Sequence, residues 1–156
     1  MSLAGKKVVV VGGSSGIGLA TAELAKKEGA DVVVASRNAE RLKAAADKIG
    51  AKAIAADVTS DESVADLFRT CGLVDHVVVT AAQLRTASFK TVAMDDVRVT
   101  MESKFWGAWR VARSAEIRPG GSLTLVTGYF STRPRPGAAI VGAANGALES
   151  LTKGLA

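Results

Sequence analysis

VVVVGGSSGIG, residues 8–18, is the stretch that decides the fold. Four valines in a row give a strand with no polar side, the pattern of a strand buried on both faces. The glycines follow at once. Behind them residues 17–27 read as a helix, with Ile17, Ala20, Leu24 and Ala25 towards one face. A glycine-rich corner between a buried strand and a helix suits an anion. Gly12 permits the tight turn off the strand, Gly16 lets the backbone approach a pyrophosphate, and Gly18 lets the helix lie close on the strand. The first N–H groups of the helix, with its dipole, then face the anion. Ser14 and Ser15 add hydroxyl donors, and Ile17 belongs to the same turn.

The rest of the chain keeps the alternation that this corner begins. Residues 31–35 and 53–56 read as short strands, and residues 75–80 and 122–126 as two more. Helices are expected over residues 39–49, stopped by Gly50, over 60–68, over 95–116, and over 138–155. Pro119-Gly120-Gly121 breaks the pattern before the fifth strand, and Pro134 and Pro136 stiffen the loop after it. Strands alternating with helices predict a parallel sheet covered on both faces, and right-handed crossovers make it doubly wound. The expected fold is a Rossmann-type three-layer α/β/α domain over residues 1–156, with strand order 3-2-1-4-5.

Bulk composition narrows the possible functions. The chain has 156 residues, 48% hydrophobic and 22% charged, enough for one domain with a core. Only 4% is aromatic, so that core is mainly aliphatic. The net charge of +5 suits an anionic ligand, but the basic residues are dispersed and no nucleic-acid motif accompanies them, so no nucleic-acid partner is expected. A single cysteine, Cys71, allows no internal disulfide and suits a reducing compartment. The N-terminus carries no apolar signal region, and no run approaches the roughly 20 apolar residues of a membrane span; a cytoplasmic protein without membrane contact is expected. The only histidine, His76, has no partners for a metal site and reads as structural.

The end of the second strand selects the nucleotide. An NAD site usually places an acidic side chain there for the ribose hydroxyls. This chain has Ala35-Ser36-Arg37-Asn38 instead. Arg37 is suited to a 2′-phosphate, and no acid stands there to repel it, so NADP is expected in preference to NAD.

With these residues in place, the chain resembles the short-chain dehydrogenase/reductase family along essentially its whole length. GGSSGIG is similar to the family's glycine motif, with Val11 where threonine is usual. Asp57-Val58 resembles the pair that contacts the adenine. Thr80-Ala81-Ala82-Gln83 stands where the family has Asn-Asn-Ala-Gly, so the backbone of Ala81 and Ala82 is expected to line the adenosine side. The resemblance implies an NADP-linked oxidoreductase that moves hydride between the nicotinamide and a carbonyl or alcohol. It also implies a homodimer or homotetramer, packed through the helices that contain Trp106 and Leu148, where Phe105 and Trp109 add to the aromatic cluster.

The family's four catalytic side chains are an asparagine, a serine, a tyrosine and a lysine. Their positions here fall on Lys104, Gly128, Val141 and Asn145. All four differ, and loss of a positioned acid typically costs about 10²–10⁴ in rate. Two expectations stay open. Lys104, Thr127 and Tyr129 form a displaced catalytic set, or they are an ordinary helix lysine, strand threonine and loop aromatic in a catalytically silent NADP-binding sensor or assembly protein. Relatives in this family continue past the last helix with a further strand, a loop over the nicotinamide and a lid. Without those elements, one sheet edge and one face of the last helix are expected to need a cover.

Overall fold

A computed structural model gives the structure of residues 2–156. In chain order the elements are β1 (Lys7–Val11), α1 (Gly16–Lys27), β2 (Asp31–Ser36), α2 (Ala39–Ile49), β3 (Lys52–Ala55), α3 (Asp61–Cys71) and β4 (Val74–Val79). They continue with α4 (Met94–Met101), a π-helical segment (Glu102–Trp106), α5 (Gly107–Ser114), β5 (Ile117–Leu125), a 3-10 turn (Tyr129–Ser131) and α6 (Ala139–Leu155). The sheet is wholly parallel in the order β3-β2-β1-β4-β5, as the alternation predicted.

Successive strand residues point to opposite faces, so the valines divide between two cores. Val9, Val11, Val33 and Val77 pack on one face with Leu67, Val111 and Leu148 from the helices. Val8, Val10, Val32 and Val34 pack on the other with Ala22, Ala25 and Leu42. Cys71 lies buried in the first core, and burial pushes its thiol pKa up, away from reactivity.

Local chemistry explains the element ends. Asn38 caps α2 by accepting the Arg41 N–H, and Ser60 caps α3 by accepting the Ser63 N–H. Gly50, at φ 65°, closes α2 in the left-handed region.

Three expectations need correction. The helix expected over 95–116 runs from Met94 to Ser114, and its middle, Glu102–Trp106, is π-helical. The fifth strand begins at Ile117, and Pro119-Gly120-Gly121 lies inside it. Pairing passes from Val74 opposite Ile117 to His76 opposite Ser122, so residues 118–121 bulge out of an edge strand, a setting that tolerates a proline without its N–H. Finally, α1 is rotated from the expected face. Gly18, Ala22 and Ala25 are buried, whereas Ile17 and Leu24 are 64% and 61% exposed. A Cβ on Gly18 would meet the Gly12 carbonyl oxygen at 2.3 Å, so the approach of Gly18 to the corner sets the rotation.

Asp75 pins the opposite end of the sheet. Its carboxylate accepts the Lys7 N–H at 2.9 Å and the Lys6 ammonium at 3.1 Å, joining β4 to the start of β1. The Lys7 N–H, then Lys6, holds its pKa below the ordinary carboxylate value. A depressed folded pKa gives stability that is present above the unfolded value of about 3.9 and is lost as pH falls through the folded value. Asp75→Asn is therefore expected to melt below wild type at pH 7, with the gap closing as the pH is taken below about 4. Thermal unfolding at pH 7 and pH 3 checks this; a gap independent of pH would assign the loss to packing.

Candidate functional site

The strand order reverses around β1, whose neighbours are β2 and β4. At such a switch point the loops leaving adjacent strands part, and a crevice opens beyond their carboxyl ends. Here it is a cleft of about 650 Å³.

The glycine corner forms one wall. Gly12 sits at φ 95°, and a Cβ there would lie 2.4 Å from Thr80 Oγ1 and 2.6 Å from the Ala81 nitrogen. Only glycine fits that turn. Thr80 secures it from the other side, its hydroxyl donating towards the Gly12 carbonyl at 3.2 Å. Gly16, at φ 55°, has nothing within 4 Å of a Cβ, so its backbone faces open space. Ser15 precedes α1 but makes no side-chain capping bond, and α1 has no acidic residue in its first turn. The positive end of the helix is therefore unneutralised towards the cleft. Ser14, Ser15, Ile17 and Gly18 line it from this side.

Ser36, Arg37 and Asn38 line the far side, joined by Arg41. Ser36 Oγ is buried without a hydrogen-bond partner. Such a hydroxyl costs free energy unless something pairs with it. The lining contains two cations and no acid. Val58, Thr59, Ala81 and Ala82 also line the cleft. Asp57 turns its carboxylate onto Thr59, accepting the Thr59 N–H at 2.9 Å and its hydroxyl at 2.8 Å.

The inner end of the cleft is built on the π segment. Ser103 Oγ accepts the Gln83 N–H at 2.8 Å, and Thr100 Oγ1 accepts the Arg85 N–H at 3.1 Å, so the loop after β4 is tied to the helix. Lys104 lies at the centre of this segment and is 8% exposed. Its ammonium donates to the Val126 carbonyl at 3.1 Å, has no carboxylate in ion-pair reach among the described residues, and burial lowers its pKa. Asn145 donates from Nδ2 to the Gly128 carbonyl at 2.9 Å, while its Oδ1 is buried and unpaired. Val141 is 4% exposed.

The three residues of the displaced set are distributed as follows. Lys104 reaches the end of β5 from within, and Thr127 follows β5 half-buried. Tyr129 is 62% exposed, its ring 4.5 Å from that of Phe130. No hydrogen bond joins the three among the described residues. Arg41, Thr80 and Ser103 were not singled out from sequence. Arg41 alone left a signal there, a long cation in the first turn of a capped helix, where side chains lean back towards the N-terminus.

Comparison with known proteins agrees with this geometry. The family model described as Enoyl-(Acyl carrier protein) reductase matches residues 11–156. Gluconate 5-dehydrogenase of Gluconobacter oxydans is 34% identical over 168 residues, which take in 99% of this chain and 66% of that protein. A solved short chain dehydrogenase/reductase family protein superposes with a TM-score of 0.93 at 34% identity, covering 99% of this chain and 68% of that one. A short chain dehydrogenase from Burkholderia cenocepacia, solved in complex with NADP, gives 0.91 at 30% identity, over 99% of this chain and 69% of the other. The chain thus spans about two thirds of the length of these relatives.

Proposed function

The chain belongs to the short-chain dehydrogenase/reductase family, and on that premise we propose that it is an oxidoreductase domain with a cleft for NADP(H) rather than NAD(H). The observation that carries this is the unpaired, buried Ser36 hydroxyl beside Arg37 and Arg41, in a lining without an acid. A 2′-phosphate supplies acceptors to all three, whereas the carboxylate that usually accepts from a ribose diol is missing from the lining. The α1 N-terminus with Ser14 and Ser15 takes the pyrophosphate, and Gly12 and Thr80 hold that corner in shape. Bound NADPH supplies a hydride for a carbonyl carbon.

The resulting alkoxide must take up a proton. Val141 and Gly128 carry no acidic proton. The buried Lys104 ammonium is the cation that approaches the end of β5, and Thr127 offers a hydroxyl beside it. Tyr129 joins them only if its exposed ring turns inward. The buried, apolar Val141 favours a second reading, an NADP-binding protein that senses the cofactor or assembles with a partner without turnover. Calorimetric titration is expected to show NADPH binding more tightly than NADH, and oxidation of NADPH with a panel of ketones, aldehydes and quinones then separates the readings. Binding with no oxidation above background selects the silent one; no binding of either nucleotide sinks both.

We also infer self-association across the α4–α5 rod and α6. Trp106 and Trp109 are 45% and 44% exposed and edge-to-face at 6.2 Å, the kind of aromatic surface that anchors interfaces. Leu148 is 2% exposed in the protein's own core, so α6 would use its opposite face. No helix among the described residues is long and apolar enough to cross a membrane.

A further inference from the structure

We propose that Arg110 is a positioning residue for the dinucleotide: together with Gly107 it holds, from behind the cleft, the apolar wall on which the base of the nucleotide rests. The proposal rests on the NADP(H) reading and adds to it two residues that do not touch the ligand. Neither Arg110 nor Gly107 lines the cleft, whereas Val58, which both of them hold, does.

Arg110 lies on α5 with its side chain 18% exposed, and its guanidinium joins three segments. Nε donates to Asp61, the first residue of α3, at 2.8 Å. Nη2 meets Glu102, the first residue of the π segment, at 2.6 Å. Nη1 donates to the Val58 carbonyl, in the loop between β3 and α3, at 3.3 Å. Two carboxylates fix the plane of the fork, and the third arm then sets where the Val58 backbone stands. Gly107 is three residues earlier, on the same face of the helix. A Cβ there would lie 2.9 Å from Val58 Cγ2 and 3.0 Å from Val58 Cβ, so the bare helix backbone supports the valine side chain. Val58 is thus held at its carbonyl by one residue and at its side chain by the other.

The place of the base follows from the 2′-phosphate. With that phosphate at the end of β2, the ribose bearing it stands there too. The pyrophosphate takes the α1 side, so the base falls towards β3. That strand pairs with β2, and the residues after it, Ala56 and Val58, are buried and line the cleft. A flat base gains contact against such an apolar surface, and gains most when the surface is set before the ligand arrives.

The test is calorimetric titration of the full chain with NADPH, NADH and adenosine 2′,5′-bisphosphate. Arg110→Ala is expected to weaken all three by the same factor, about tenfold, which is part of the value of one buried valine. The preference for NADPH over NADH stays as in the wild type, because the base is common to both. Arg110→Lys keeps the charge without the fork and is expected to lose less. Gly107→Ala presses on Val58 from behind and is expected to reproduce the loss with Arg110 intact. A cycle with Val58→Ala separates positioning from stability: if Arg110 acts through Val58, the double variant loses less than the product of the two single losses. Asp75→Asn, at the other end of the sheet, is the control, with a lower melting midpoint and unchanged nucleotide affinity. Losses that multiply in the cycle, a loss for NADPH not shared by the adenosine bisphosphate, or wild-type affinity in Arg110→Ala overturn the proposal. Should Arg110→Ala fail to fold, Arg110→Lys and Gly107→Ala carry the same comparisons. A wild type that binds neither dinucleotide sinks the NADP(H) reading, and this proposal with it; the outcomes above sink the proposal alone.

Discussion

Replacing Gly18 with alanine is expected to lower the unfolding midpoint by about 6–12 °C and to weaken NADPH binding at least tenfold. The added Cβ would stand 2.3 Å from the Gly12 carbonyl oxygen and 2.6 Å from Thr80 Oγ1. The oxygen belongs to a backbone that cannot swing aside like a flexible side chain. Gly12 is itself held by Thr80 and by the Ala35 carbonyl, which accepts its N–H at 2.7 Å. Relief therefore moves α1 off β1, at the upper end of the overpacking range, about 3 kcal/mol. A ΔΔG of 1 kcal/mol shifts the midpoint by roughly 2–4 °C in a domain of this size, which gives the stated drop. The nucleotide suffers because the N–H groups at the α1 terminus move with the helix. Gly16→Ala is the control. It meets no atom within 4 Å and pays only for its φ of 55°, about 1–2 kcal/mol. Thermal melts of the two variants side by side check the argument, and an equal loss in both would show that close approach is not what Gly18 provides.

That asymmetry between Gly16 and Gly18 marks how far the sequence could be read. The four valines and the glycines behind them specify a buried strand, a tight turn and a helix, and all three are present. The sheet order follows, because parallel strands joined through helices have few ways to pack. The rotation of α1 did not follow. Periodicity gives the spacing of a face, but it grouped Ala25 with Ile17 and Leu24 as readily as with Ala22, its buried companion in the structure. The backbone contact at Gly18 decided between them. Pro119-Gly120-Gly121 misled for a related reason, since the residues that end a strand also build a bulge within one.

The site divides along the same line. Residues that act through their own backbone, such as Gly12 and Gly18, were legible. Thr80 and Ser103 act through hydrogen bonds to residues 68 and 20 positions away. Nothing local in the sequence signals such a bond. Lys104 lies between the two cases. Its place in the family pattern drew attention to it, but the π segment and the Val126 carbonyl that hold its ammonium in the interior are products of the tertiary fold. A π segment inserted in an α-helix is frequently found at functional sites, which is an independent reason to look for chemistry at this lysine.

Removing both guanidinium groups with Arg37→Ala/Arg41→Ala is expected to cost about 100-fold in NADPH affinity and to leave NADH within about twofold of wild type. A hydrogen bond to a charged group contributes about 1.5–3 kcal/mol, and these arginines are exposed, so the lower end applies to each. Two such losses, each about tenfold, multiply to the stated figure. The effect falls on NADPH alone because the dinucleotides differ only in the 2′-phosphate. Salt provides a check that needs no mutation. Raising ionic strength from 0.15 M to 1 M shortens the screening length from about 8 Å to about 3 Å, so the NADPH preference of the wild type should shrink. Ser36→Ala separates the third partner from the first two. Its hydroxyl is buried and unpaired, so removing it should leave the melting midpoint unchanged or slightly raised while NADPH affinity falls several-fold. Calorimetric titrations of wild type and the two variants with both nucleotides measure all of this. An equal loss for NADPH and NADH in the arginine variant would move the 2′-phosphate away from the end of β2 and require another explanation for the buried hydroxyl there.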